Sequence, residues 1–176
     1  MNASEEYVDK AKAELAELEA AGVVMVGNAF SQMLLVKGEP EDEGMGLLSG
    51  KDGVALHAAL NRLGYAPEDW AGLSTLDAEG FPLAPGALRL AIVTLDPSTL
   101  IALDEPAAAA LREAYADELV DLEVLEQAAL MPGAIAKVLG MRVMNLGGFA
   151  ASLADPKAKQ LMWARLKQLP PMGEPY

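Results

Sequence analysis

Cysteine is absent from this 176-residue chain, and histidine occurs once, as His57. Without thiols there are no disulfides, no thiolate nucleophile and no cysteine-held iron–sulfur cluster. A single imidazole with no thiolate beside it argues against a transition-metal site. Positive charge is also scarce: 13 Lys and Arg stand against 26 Asp and Glu, a formal net charge of -13. Nucleic-acid binders draw most of their affinity from phosphate neutralisation by a basic stripe. No basic cluster is visible, so weak or no nucleic-acid binding is expected. No uncharged apolar run reaches the ~20 residues of a membrane span. The acidic, helix-like start "MNASEEYVDKAKAELAELEAAG" is not patterned as a signal peptide. A cytoplasmic protein without membrane contact, metal or cofactor is the expectation. Aromatic residues make up only 5% of the chain, so its 52% apolar content implies close helix packing more than a large aromatic pocket.

The length suits one domain spanning residues 1–176, with an N-terminal helix over 1–22 and a tail over 170–176. Asn2 or Ser4 caps the first helix and Gly22 ends it. "VVMVGNAFSQMLLVKG" reads as two β-rich runs, Val23 to Val26 and Met33 to Val36, joined as a hairpin or strand pair through Gly27 and Asn28. A long glycine-rich, acidic loop follows, and such loops are often functional. Asp52 caps a helix carrying Leu56, Ala59, Leu60 and Leu63 on one face. "DWAGLSTLD" is a short, weak strand, "APGALRLAIVTLDP" a helix ending near Pro97, and "STLIAL" a buried strand. "DEPAAAALREAYADEL" starts a helix with Asp104 as cap and Pro106 in the first turn. Val120 to Gly140 is apolar and ambiguous. "MRVMNL" is a strand, and Asp155 with Pro156 opens the last helix.

Strands alternating with helices predict a three-layer α/β/α sandwich around a mainly parallel sheet. Ligands in such sheets bind beyond the carboxyl ends of the strands. Those ends are the loops after Val36, Leu76, Leu103 and Leu146.

Four stretches in these loops and strands carry a family resemblance. "LLVKGEP" places Gly38 and Glu39 after a strand, and "GLLSGKDG" spaces Gly46, Gly50 and Gly53. "PSTLIALDEPAAAAL" runs from Pro97 to Leu111 as strand, turn and alanine-rich helix. "LGGFAASLADPKAKQLMWARL" holds Leu153, Pro156, Lys159, Trp163 and Leu166. Together they resemble the uracil-DNA glycosylase superfamily over roughly residues 23 to 169, most of all its iron–sulfur-containing bacterial and archaeal branch. The resemblance implies that family's fold, with a nucleobase pocket formed by these loops.

The resemblance also shows where the family's chemistry is missing. The position matching its histidine after the last strand is Gly148, and the proline that follows it is Phe149. The phenylalanine that stacks on the flipped base matches Leu48, and the asparagine that reads the uracil edge falls near Leu73. The cluster cysteines are absent. A pocket that recognises a base by its polar edge does not keep its activity through all these losses. The expected ligand-binding residues are therefore Gly38, Glu39, Leu48, Leu73, Gly147, Gly148 and Phe149, around a catalytically degenerate cleft.

The residues themselves leave alternatives. Glu39, Glu41, Asp42 and Glu43 form an acidic loop that would either activate a water molecule or bind a cation, or is simply a solvated turn. Glu39, Glu41 and Asp42 are the catalytic candidates. Gly147 and Gly148 either present backbone N–H groups to an anion or form a tight strand-to-helix turn. Lys51, Lys157 and Lys159 lie near the same edge and would suit an anion. His57 reads as a boundary residue, Trp163 as core.

Three functions follow as expectations. One is a non-catalytic protein that binds a nucleobase, nucleotide or small anion in the vestigial cleft. Another is an active DNA glycosylase or other hydrolase using Glu39 to Glu43. The third is a protein-interaction module presenting its acidic first helix or the apolar 120–140 region.

Overall fold

The structure, a computed structural model, describes residues 3–172. Among these residues there are eight helices, and six strands build one mixed sheet. The strands are β1 (Val23–Gly27), β2 (Met33–Lys37), β3 (Trp70–Asp77), β4 (Thr99–Ala102), β5 (Ile135–Val138) and β6 (Met141–Asn145), in the order β1-β3-β2-β4-β6-β5. Strands β3, β2, β4 and β6 run parallel, and the edge strands β1 and β5 are antiparallel to their neighbours. The helices are α1 (Ala3–Ala20), α2 (Lys51–Leu63), α3 (Pro85–Leu95), α4 (Glu105–Ala114), α5 (Ala116–Val120), α6 (Leu125–Ala128), α7 (Phe149–Ser152) and α8 (Pro156–Leu166). None is long and apolar enough to cross a membrane.

Side-chain alternation divides the core in two. Leu34 and Val36 of β2 join residues of α1, α3, α4 and α5 on one face, whereas Met33 and Leu35 join residues of α2, α7 and α8 on the other. Burial on both faces is what produces the unbroken apolar runs of β2 and β4. Asp104 and Asp155 cap α4 and α8 as their sequence positions imply, each accepting a hydrogen bond from the first turn.

Several expectations need correction. The runs at Val23 and Met33 do not form a hairpin, because β3 inserts between them. The Asp69 carboxylate accepts hydrogen bonds from the Gln32 backbone and side chain, both at 2.7 Å, and Asn28 Nδ2 donates to the Glu68 carbonyl at 2.8 Å. These bonds fasten the Asn28–Gln32 turn to the chain entering β3. That strand is not short but eight residues long. It reads as weak because it is small where the layers press close: a Cβ on Gly72 would lie 2.8 Å from Val26 Cγ2 and 2.9 Å from Leu48 Cδ1. The ambiguous 120–140 stretch contains α6 and then the β5–β6 hairpin, turned by Leu139 at φ 49 and Gly140 at φ 83. Asp52 is not a cap, since Gly50 holds that position of α2. Ser4 falls inside α1, and Asn2 lies outside the described residues. Pro170 and Met172 of the tail are docked, through Arg142 and the Gln32 side chain; residues 173–176 lie outside the described residues.

Candidate functional site

Lys37 ends β2 on the α2 side of the sheet, opposite Ser74 of β3. It is only 6% exposed, with its side chain reaching the floor of a cleft. A buried ammonium has to be paired. Its Nζ donates to Glu41 Oε1 and to Asp52 Oδ2, both at 2.8 Å. Glu41 Oε1 also accepts from the Leu48 N–H at 3.0 Å, and Asp52 Oδ1 from the Gly53 N–H at 2.9 Å. This ionic trio ties the 38–50 loop to the first turn of α2. Burial works against the Lys37 charge, but the hydrogen bonds and charges of Asp52 and Glu41 outweigh it and raise its pKa above the ordinary lysine value. Lys37 is therefore a fixed cation at neutral pH, not a nucleophilic amine.

Gly38 is a close-packing residue. A Cβ there would collide with the Ala107 nitrogen and lie 2.7 Å from the Pro106 carbonyl carbon at the start of α4. Its N–H and that of Glu39 donate to the Asp104 carboxylate at 3.0 Å, while the same carboxylate caps Ala107 at 2.9 Å. One buried aspartate thus holds the exit of β2 against the start of α4.

Above the trio lies an open cleft of about 720 Å3. Glu39, Glu41, Asp42 and Met45 form one wall, Gly50 to Asp52 a second, and Ala150, Leu153 and Ala154 a third. The loops after β2 and β6 therefore face each other, and Glu39, Glu41 and Asp42 all line the cleft. Glu39 and Asp42 are exposed, whereas Glu41 is committed to Lys37 and Leu48. Lys51 supplies the second cation of the cleft; Lys159 lines a neighbouring hollow of about 350 Å3 beside Arg62 and Trp163. Four carboxylates against two ammonium groups leave the rim net acidic.

The remaining expected site residues lie elsewhere. Leu48 and Phe149, 4% and 5% exposed, share one core cluster with Leu35, Leu56 and Met144. Neither lines the cleft, and Phe149 lines the neighbouring hollow. Leu73 is fully buried in the core on the opposite face of the sheet. Gly147 and Gly148 have φ of 86° and 89°, the left-handed region that suits glycine. The N–H groups of Gly148 and Phe149 donate to the Leu103 carbonyl at 3.2 and 2.9 Å. They are thus used by the strand-to-helix turn and not held out to an anion.

His57 lies outside the cleft walls. Its ring packs on Trp70 with centroids 4.2 Å apart, and its buried Nε2 has no hydrogen-bond partner. Burial lowers its pKa below the ordinary histidine value. Among the described residues, no three His, Cys, Asp or Glu side chains are grouped to hold a metal ion.

Sequence reasoning missed Lys37, Asp52 and Asp104 as organisers of this edge. A signal was present in "VKGEPE", where a lysine ending a buried apolar run is followed four residues later by Glu41. No protein-family model and no curated protein matches this chain.

Proposed function

We propose that this chain is a uracil-DNA-glycosylase-like protein that has lost hydrolysis and uses its cleft to bind a small polar ligand of nucleobase size. The observation that carries the reading is the Lys37 ammonium. It has three N–H donors, two of them taken by Glu41 and Asp52, and it lines the cleft. The third is left for a carbonyl oxygen. Glu39 and Asp42, exposed on the adjoining wall, would accept N–H groups. A ligand edge with a carbonyl beside an N–H, as on an oxopyrimidine or oxopurine, satisfies both. The net acidic rim disfavours a phosphate or nucleotide, and with the chain's overall charge it disfavours DNA.

Loss of hydrolysis is supported by what occupies each catalytic position. Gly148 stands where the family has its histidine, and the neighbouring backbone N–H groups are already bonded to Leu103. Glu41 is tied to Lys37. Of the carboxylates lining the cleft, Glu39 and Asp42 remain free to activate water.

Titration with free uracil, hypoxanthine and guanine, followed by amide chemical-shift changes, tests the reading. Shifts clustered at Lys37, Lys51 and the 38–50 loop, weakened by Asp42→Asn and by Leu153→Trp, are expected. Absence of shifts at millimolar ligand, or shifts unaffected by both substitutions, would overturn it.

A further inference from the structure

We infer that the groove between α5 and α6 docks an amphipathic basic helix from another protein. The groove measures about 530 Å3, with Leu119 as its buried floor and Val120, Leu122 and Leu125 as apolar walls. Val120 and Leu125 are each 74% exposed. Large aliphatic side chains held together in water mark an interaction surface more often than a free one. Their position is built in. Helices α5 and α6 have only five and four residues, too short to be stable alone. Arg112 of α4 fastens the far side by donating to the Ala129 and Leu130 carbonyls at 2.8 and 3.2 Å.

Charge identifies the occupant. Glu123 lines the groove, and Asp117, Asp121 and Glu126 are exposed on the same two helices and the turn between them. Arg112 is the one cation lining the groove, and it is already paired with Glu105. An apolar groove on an acidic stretch of surface complements a helix that carries an aliphatic stripe at i, i+3, i+4 and i+7 flanked by Lys or Arg. A second copy of this chain is a poor occupant, because it would bring the same acidic surface and a net charge of -13 against its like.

The test is fluorescence anisotropy of the full chain with a labelled synthetic helix, leucine on one stripe and lysine elsewhere. A scrambled peptide of identical composition serves as the control for charge alone. Binding of the patterned peptide should exceed that of the scrambled one and fall about tenfold with Val120→Lys or Leu125→Lys. Both positions are exposed, so both variants should unfold at the native urea midpoint. The proposal is overturned if the patterned peptide fails to bind at about millimolar concentration, where even weak complexes form, or if scrambled peptide or the lysine variants bind equally well. A dimer in sedimentation that Leu125→Lys dissolves would assign the groove to a second copy and overturn it as well.

Discussion

Replacing Lys37 by methionine removes the cation from a buried ionic trio and leaves its length of hydrocarbon in place. In the native chain the side chains of Lys37, Asp52 and Glu41 are 8%, 9% and 15% exposed, and both ion-pair distances are 2.8 Å. After Lys37→Met the two carboxylates face each other with no counter-charge. Breaking a buried pair by deleting one partner costs about 3–5 kcal/mol. That is a large fraction of the ~5–15 kcal/mol that holds a domain folded. The triple variant Lys37→Met, Glu41→Gln, Asp52→Asn removes all three charges but keeps an oxygen acceptor for the Leu48 and Gly53 N–H groups. Replacing a whole buried ionic group is often nearly neutral, so the triple variant should be more stable than the single one. The Lys37 pKa is raised in the fold, so its contribution is complete below the ordinary lysine value of 10.5 and is lost as pH climbs through the raised one. Urea unfolding at pH 7 with an unchanged m-value is the assay. A loss below about 1 kcal/mol, the worth of an exposed pair, or a triple variant no more stable than the single, would refute the reasoning.

Asp104→Ala deletes an N-cap and the acceptor for two loop N–H groups, and should cost about 2–4 kcal/mol by urea titration. Asp104→Asn, which retains one acceptor oxygen, should cost less. Leu139 occupies the left-handed region at 64% exposure, so Leu139→Asn, with Gly140 completing an Asn-Gly turn, should gain about 1 kcal/mol in the same measurement. His57 is held neutral, so the unfolded chain takes up the proton first as pH falls. Stability should therefore be full above the ordinary histidine value of 6.5 and decline below it, toward the lowered value in the fold. His57→Phe, which keeps a ring against Trp70, should flatten that decline in unfolding midpoints measured from pH 7.5 to 5.

The parts of the fold legible in the sequence are those specified by local chemistry. The apolar runs of β2 and β4, and the Asp-x-Pro and Asp-Pro starts of α4 and α8, each carry their signal within a few residues. The misread elements depend on distant partners. Nothing near Val23 indicates that Asp69 and Glu68 will draw another strand between β1 and β2. Nothing marks Leu139 as a turn residue, because leucine seldom adopts positive φ. At the site, the segments after β2 and β6 line the cleft, whereas the loops after β3 and β4 do not. Lys37 stayed hidden because a lysine ending a strand ordinarily reaches water, and its partner Asp52 lies 15 residues on. The position of Leu73 is a matter of parity. Successive strand residues face opposite sides, so Leu73 joins Ala71 in one core while Gly72 shares its face with Trp70. A shift of one residue in the expected resemblance exchanges the two faces.

The most direct test of a silent cleft is uracil release from a uracil-containing single-stranded oligonucleotide, with protein in excess so that even one turnover is seen. Release is read as abasic sites cleaved by alkali. Removing one preorganised donor commonly costs about 10²- to 10³-fold in rate, and the proposed likeness to the glycosylases leaves several without a counterpart. Release at the no-protein rate is the expected result, unchanged by Gly148→His alone. Time-dependent release by the native chain, abolished by Asp42→Asn or Glu39→Gln, would contradict the account and make the acidic loop a catalytic one.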